Sequence, residues 1–124
     1  ITVLTMFEGS REILKNNPNI DEVICFEFLT SKKMNSMKFL YKLRLRKFDL
    51  SITAFPAYRR EYNLLSFIVG AKKRIAHKFK QGYITQFTFF NNYTVDVDEN
   101  VHNVINNFNL LKSLGINNRY DKNY

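Results

Sequence analysis

An α/β fold on a doubly wound parallel sheet is the architecture this sequence predicts, and two observations carry the expectation. Short runs rich in β-branched residues alternate with stretches whose apolar residues recur three and four apart. The units are also of a length that alternates one strand with one helix, an order that buries a parallel sheet between helices on both faces. Right-handed crossovers then favour the doubly wound arrangement. Length sets the scale: 124 residues can bury roughly two thirds of their unfolded surface, enough for one modest core.

Residues 1–5 (ITVLT) form the first expected strand, because β-branched side chains pack well on a pleated surface. Ser10 is placed to cap a short helix through Ile13 and Leu14, which Asn16-Asn17-Pro18 stops. Residues 22–26 (EVICF) are the second strand, and a polar loop with Lys32 and Lys33 follows. Over 36–47 the spacing is helical: Met37, Leu40 and Leu43 lie toward one side, while Lys38, Lys42 and Arg46 form a row four apart.

A third strand is expected over 48–54 (FDLSITA), ended by Pro56. The helix over 60–69 turns Leu64, Leu65, Ile68 and Val69 inward, and Gly70 stands where a C-terminal cap belongs. Residues 74–77 read as a short fourth strand. Residues 83–90, rich in aromatics and Thr, read as an irregular strand or as a loop packed on the core. The last helix is the clearest element, with Val101, Val104, Ile105, Phe108, Leu111 and Leu114 on one face and Gly115 at its end. Asp96 and Glu99, three apart, suggest a capping box at its mouth.

Nineteen Lys and Arg against eleven Asp and Glu leave a net charge of +8. With 45% hydrophobic residues, twelve Phe and seven Tyr, the chain is too apolar for a disordered basic tail. It has no run of about 18 uncharged apolar residues, so no transmembrane helix is expected. The lone Cys25 excludes an internal disulfide or a cysteine-based zinc site and suits a reducing compartment. Ile1 opens directly into an apolar run without an initiator Met, which suggests a piece of a longer protein.

Phosphate loops, dinucleotide glycine fingerprints, zinc-protease helices and nucleophile elbows are absent from the sequence. Asp96-Val97-Asp98 has a carboxylate spacing suited to a hard cation, but acids at a helix mouth also meet the dipole and free N–H groups. The capping reading is preferred. His77 stands among Lys72, Lys73, Arg74 and Lys78, where a positive charge is resisted. Basic residues cluster at 32–33, along 38–47, at 59–60 and over 72–80. In open α/β sheets ligands bind at the carboxyl ends of strands, and Lys32, Lys33, Arg59 and Arg60 follow strand ends directly.

Four segments occur in order: 16–24 (NNPNIDEVI), 48–52 (FDLSI), 70–75 (GAKKRI), and His102 with 107–115 (NFNLLKSLG). Together, over nearly the whole chain, they resemble the N-terminal domain of the heptosyltransferase family, the ADP-heptose:lipopolysaccharide transferases of glycosyltransferase family 9. The resemblance implies two Rossmann-like lobes facing across a cleft, the GT-B arrangement, with the acceptor held by the N-terminal lobe. Residues 1–115 would be part of that acceptor-binding domain, incomplete at its first strand. Residues 116–124 would begin the linker toward a donor-binding domain.

The resemblance also implies an inverting transfer of a sugar, usually heptose, from a nucleotide sugar such as ADP-heptose. The acceptor would be an anionic lipopolysaccharide core or related glycan. The expected base, an Asp in a Gly-Asp loop, lies upstream of Ile1, so no catalytic residue is assigned here and the chain alone is expected to be inactive. No metal is expected, and no cofactor beyond the donor. The expected partners are an anionic glycolipid acceptor and a nucleotide sugar, not nucleic acid. The expected place is the bacterial cytoplasm, with peripheral association at the inner face of the cell membrane.

Lys32 and Lys33 fall in the loop whose basic residues contact phosphorylated acceptor sugars in the family. Arg59 and Arg60 are expected anion contacts at a strand end, with solvated helix-start arginines as the alternative. His102 aligns with a recurring family His at the start of the final helix, either lining the cleft or purely structural. The rival reading is a small basic RNA- or DNA-binding module, which would explain the charge and the aromatic interleaving of 78–83 (KFKQGY). A non-catalytic scaffold that keeps the fold is a third.

Overall fold

The computed structural model describes residues 1–54, 59–80 and 84–116. The elements run β1 (Thr2–Thr5), α1 (Glu8–Leu14), β2 (Glu22–Cys25), α2 (Lys33–Leu45), β3 (Leu50–Thr53) and α3 (Arg60–Val69). Then follow β4 (Lys73–Lys78), a 3-10 turn (Thr88–Phe90), β5 (Tyr93–Asp96) and α4 (Asn103–Lys112). Every strand pairing among the described residues is parallel, so the α/β class holds. The strands form two open sheets, β1-β2 and β3-β4-β5, and the chain two units, Ile1–Phe39 and Leu40–Tyr124.

In the first unit, β1 and β2 pair from Thr2↔Glu22 to Thr5↔Cys25, and α1 packs against both strands. The helix begins at Glu8 with Phe7 at the N-cap, so Ser10 is not its cap. The start moves forward because the Thr5 hydroxyl accepts from the Phe7 N–H at 3.3 Å, turning the chain as soon as it leaves the strand. Glu8 then meets the helix N-terminus and accepts from Arg11 at 2.7 Å. The stop falls where the sequence puts it: Asn17 donates to the Leu14 carbonyl at 3.0 Å, and its side chain accepts from Asn19 at 2.9 Å. Beyond β2, Phe26 stacks on Phe39 of α2 with centroids 4.0 Å apart, and Phe28 meets both rings edge-on.

The second unit is built around β4, the middle strand of its sheet. Residues paired in register share a face, so Ser51 and Arg74 point one way and Ile75 and His77 the other. Ser51 meets Ser66 of α3 with their hydroxyls 2.9 Å apart, which sets α3 on the first face. On the second face α4 packs against β4 and β5, and its Asn107 interacts with His77. Helices therefore cover both faces of this three-stranded sheet. The interior holds Val69, Ala71, Ile75, Ala76 and Leu110, with Leu40 and Leu43 also buried.

The strands and helices are mostly where the sequence puts them, and the inward faces are so only in part: Leu40, Leu43 and Val69 are buried as expected, and Leu65, Ile68, Phe108, Leu111 and Leu114 are half-buried. In α3 the buried residues are Asn63 and Ser66 together with the expected Val69, while Leu64 is 37% exposed. Hydrogen bonds explain the exchange: Asn63 donates to the Gln86 carbonyl at 2.8 Å and accepts from the buried Asn91 side chain at 2.8 Å. In α2, Met37 turns outward while Leu40 and Leu43 are buried. In α4 the buried residues are Asn106 and Leu110, and Val104 and Ile105 face solvent.

The capping box at Asp96 and Glu99 is overturned. Residues 93–96 form β5, a strand that the sequence reading did not contain, and α4 starts only at Asn103. The loop between them is held by Asn106, which accepts from the Asp98 N–H at 3.1 Å and donates to the Asp98 carbonyl at 2.9 Å. Of the two readings of 83–90, the packed loop holds for 84–90: Thr88 is buried and Phe90 stacks on Phe67 at 4.5 Å. Tyr83, Pro56 and most of the expected linker over 116–124 lie outside the described residues. Gly70 ends α3 as expected, in a left-handed conformation with φ of 73° that a side chain would strain.

Candidate functional site

In a parallel sheet the strands end on one edge, and the helix after each strand begins there. In the second unit this edge receives Arg59 and Arg60 after β3, Lys78 at the end of β4, and His102 after β5. Arg59 is the N-cap of α3 in extended conformation, without a side-chain cap bond, and Arg60 opens the helix. The Arg60 guanidinium lies 5.9 Å from the Phe87 ring centre, and its Nε is 3.7 Å from the Glu61 carboxylate. A helix N-terminus favours negative charge, so two arginines there stand against the local preference.

His102 is the N-cap of α4, where its Nδ1 accepts from the Val104 N–H at 3.3 Å. That bond gives His102 a part in starting α4. The topology thus brings Arg59, Arg60 and His102 to the same edge of one sheet, on strands separated by β4, with α3 and α4 on opposite faces. Lys32 and Lys33 belong to the first unit, where they follow the carboxyl end of β2. The Lys32 carbonyl accepts from Asn35 and Ser36, so Lys32 ends the loop immediately before α2 and Lys33 is the first residue of the helix rather than part of a loop.

Other members of the basic clusters hold the fold together. Arg74 donates to the carbonyls of Phe90 at 2.9 Å and Ala71 at 2.7 Å, and it lies 5.6 Å from the Phe67 ring centre. Arg44 donates to the Ile68 carbonyl at 2.8 Å, and Lys72 pairs with Asp49 at 2.7 Å. The charge is therefore of two kinds, cations tied to backbone or acids and cations turned to solvent.

An open groove of about 490 Å³ lies in the first unit, lined by Glu8, Arg11, Glu27, Cys25 and residues of β2, and it contains neither Lys32 nor Lys33. Burial, then the neighbouring Glu8, pushes the Cys25 thiol up, away from the thiolate form that reactive cysteines use. Among the described residues no group of three or more His, Cys, Asp or Glu is placed to hold a metal ion. Asp98, half of the candidate cation pair, accepts from the Asn100 N–H at 2.9 Å and shapes the β5–α4 loop. His77 is 4% exposed, and burial is the chief cause that lowers its pKa, opposed by Asn107 and the Val95 backbone. The resistance to protonation is as expected, but its cause is desolvation and not the flanking lysines.

No protein-family profile, curated protein or solved structure matches the chain. No helix among the described residues is long and apolar enough to cross a membrane.

Proposed function

We propose that the chain is the acceptor-side lobe of a heptosyltransferase-like sugar transferase of the GT-B type, with an anionic glycan as its acceptor. One observation carries the reading. Arg59 and Arg60 stand exposed at the start of α3, on the edge of a parallel sheet where ligands of α/β folds bind. Guanidinium groups suit phosphate and carboxylate oxygens, which they meet in paired hydrogen bonds. The open parallel α/β architecture supports the reading, and so does the placement of His102 on the same edge.

In this reading the lobe binds and aligns, and the chemistry needs two further parts. A carboxylate outside this sequence would take the proton from the acceptor hydroxyl as it attacks the anomeric carbon. A donor lobe would hold the nucleotide sugar and stabilise the departing diphosphate. Fixing the acceptor in line with the donor is worth several orders of magnitude in rate, and that alignment is this lobe's contribution.

The test is calorimetric titration of the 124-residue chain with a phosphorylated lipopolysaccharide-core oligosaccharide, its dephosphorylated form and a generic single-stranded RNA. The phosphorylated glycan should bind at least about tenfold more tightly than the dephosphorylated one, and Arg59→Ala with Arg60→Ala should remove that preference. Equal binding of the two glycans would sink the proposal. Tighter binding of the RNA, with a steep salt dependence, would replace it with the nucleic-acid module.

A further inference from the structure

The most distinctive unassigned surface lies on α2. Its buried residues, Leu40 and Leu43 with the half-buried Ser36 and Phe39, fall on one side of the helix. On the opposite side stand Met34, Met37, Tyr41 and Leu45, spaced three, four and four apart, so one helical face carries all four. They are 67%, 60%, 62% and 59% exposed, an unusual state for four large apolar side chains in a continuous row. This face is set by the periodicity of one unbroken helix, 13 residues long.

The charges around this row identify what covers it. At about 100° per residue, Lys33 and Arg44 border the stripe on one side, and Lys38 and Lys42 on the other. Lys33, Lys38 and Lys42 are exposed, and long basic side chains at such seams reach upward past an apolar face to anionic groups. Between Lys32 and Lys47 there are seven Lys and Arg and no Asp or Glu. A protein partner would leave that one-signed charge to be matched by a dedicated acidic rim. A bilayer carrying anionic headgroups satisfies both features at once, with apolar chains below the stripe and negative charge beside it.

We infer that α2 docks the chain on an anionic membrane surface, with Met34, Met37, Tyr41 and Leu45 inserted at the headgroup boundary and Lys33, Lys38 and Lys42 against lipid phosphates. The helix lies in the plane of the interface and does not cross it. The inference stands on α2 alone and needs neither the sugar acceptor nor Arg59 and Arg60. If both proposals hold, the docked helix brings a soluble lobe to an acceptor anchored in lipid.

The chain contains no Trp, so Tyr41→Trp places a single fluorescent reporter inside the stripe. Vesicles of phosphatidylcholine with about one quarter phosphatidylglycerol should shift its emission to the blue and sediment the protein, whereas pure phosphatidylcholine should bind it at least about tenfold more weakly. Met34→Ser with Met37→Ser and Leu45→Ser should cut binding about tenfold or more without altering the circular dichroism, because all three side chains face solvent. Lys38→Glu with Lys42→Glu should do the same. Equal binding to neutral vesicles, or undiminished binding by the serine variant, overturns the inference. So does concentration-dependent dimerisation that the serine variant abolishes without lipid, since the stripe would then be covered by a second copy. Arg59→Ala with Arg60→Ala should leave vesicle binding unchanged, so failure of the acceptor reading and failure of this one are separately visible.

Discussion

Sheet β1-β2 and sheet β3-β4-β5 use strands of similar length and the same parallel pairing, but they enclose very different interiors. None of the residues of Ile1–Phe39 is buried, whereas β4 alone buries three in succession, Ile75, Ala76 and His77. The cause is topological. A sheet of two strands consists of two edges, while a third strand gives β4 neighbours on both sides and helices on both faces. Continuous burial of adjacent residues, which point to opposite faces, is possible only for such a middle strand. Stability should therefore be concentrated in the second unit.

The largest effect that tests this contrast is the loss of Leu110, which is fully buried in α4. Leu110→Ala should cost about 2–5 kcal/mol in urea unfolding, as expected for truncation of a closed core site. Leu14→Ala in α1, at a half-buried position, should cost well under half as much. Amide exchange should show the same gradient, with β4 protected near the global limit and β1 and β2 opening locally. Equal costs for the two truncations would mean that the two units share one cooperative core.

The same contrast explains what was legible in the sequence. The β-branched runs gave away four strands, because such runs are needed wherever a strand is covered. The inward faces of α3 and α4 were legible only in part, because periodicity counts apolar residues such as Val69 and here Asn63, Ser66 and Asn106 also occupy the interior. Their burial is offset by specific partners, the Gln86 carbonyl, the Ser51 hydroxyl and the Asp98 backbone, that lie 8 to 23 residues away in sequence. Strand β5 escaped for a related reason: Tyr93-Thr94-Val95-Asp96 ends in an acid that also suits a helix mouth, and only its pairing with β4 decides. Of the candidate site, the basic character of the strand-end positions was legible. That Arg74 and Arg44 are tied to backbone carbonyls was not, since those carbonyls belong to turns and helix ends formed elsewhere.

A smaller effect, confined to mildly acid pH, sharpens the picture of β4. His77 is buried with its pKa lowered, so the unfolded chain binds its proton more readily than the fold does. Its contribution is fully present above the unfolded value near 6.5 and is lost as pH falls from there toward the lowered folded value. The carboxylates with shifted pKa values, Glu8, Asp21 and Asp49, are all held below their ordinary values, so their protonation belongs to a lower pH range. The thermal unfolding temperature of the native chain should therefore fall as the pH drops below about 6.5. His77→Gln, which keeps polar atoms against Asn107 but cannot titrate there, should flatten that slope. An unchanged slope in the variant would show that the slope does not come from His77.

The smallest expected effect distinguishes the two roles of His102. As an N-cap it satisfies one amide, Val104 N–H, through a bond at the long end of the normal range. His102→Ala should lose only about 0.5 kcal/mol, the low end for cap deletions, and move the unfolding temperature by a few degrees at most. His102→Asp should instead stabilise α4, because a carboxylate caps more strongly and also meets the positive end of the helix dipole. That substitution removes the imidazole while improving the cap, so the two roles part company in a single variant. A purely capping residue gives a more stable chain with unchanged binding of a neutral dephosphorylated glycan. Loss of that binding alongside the gain in stability would make His102 a ligand contact on the carboxyl edge of β3-β4-β5.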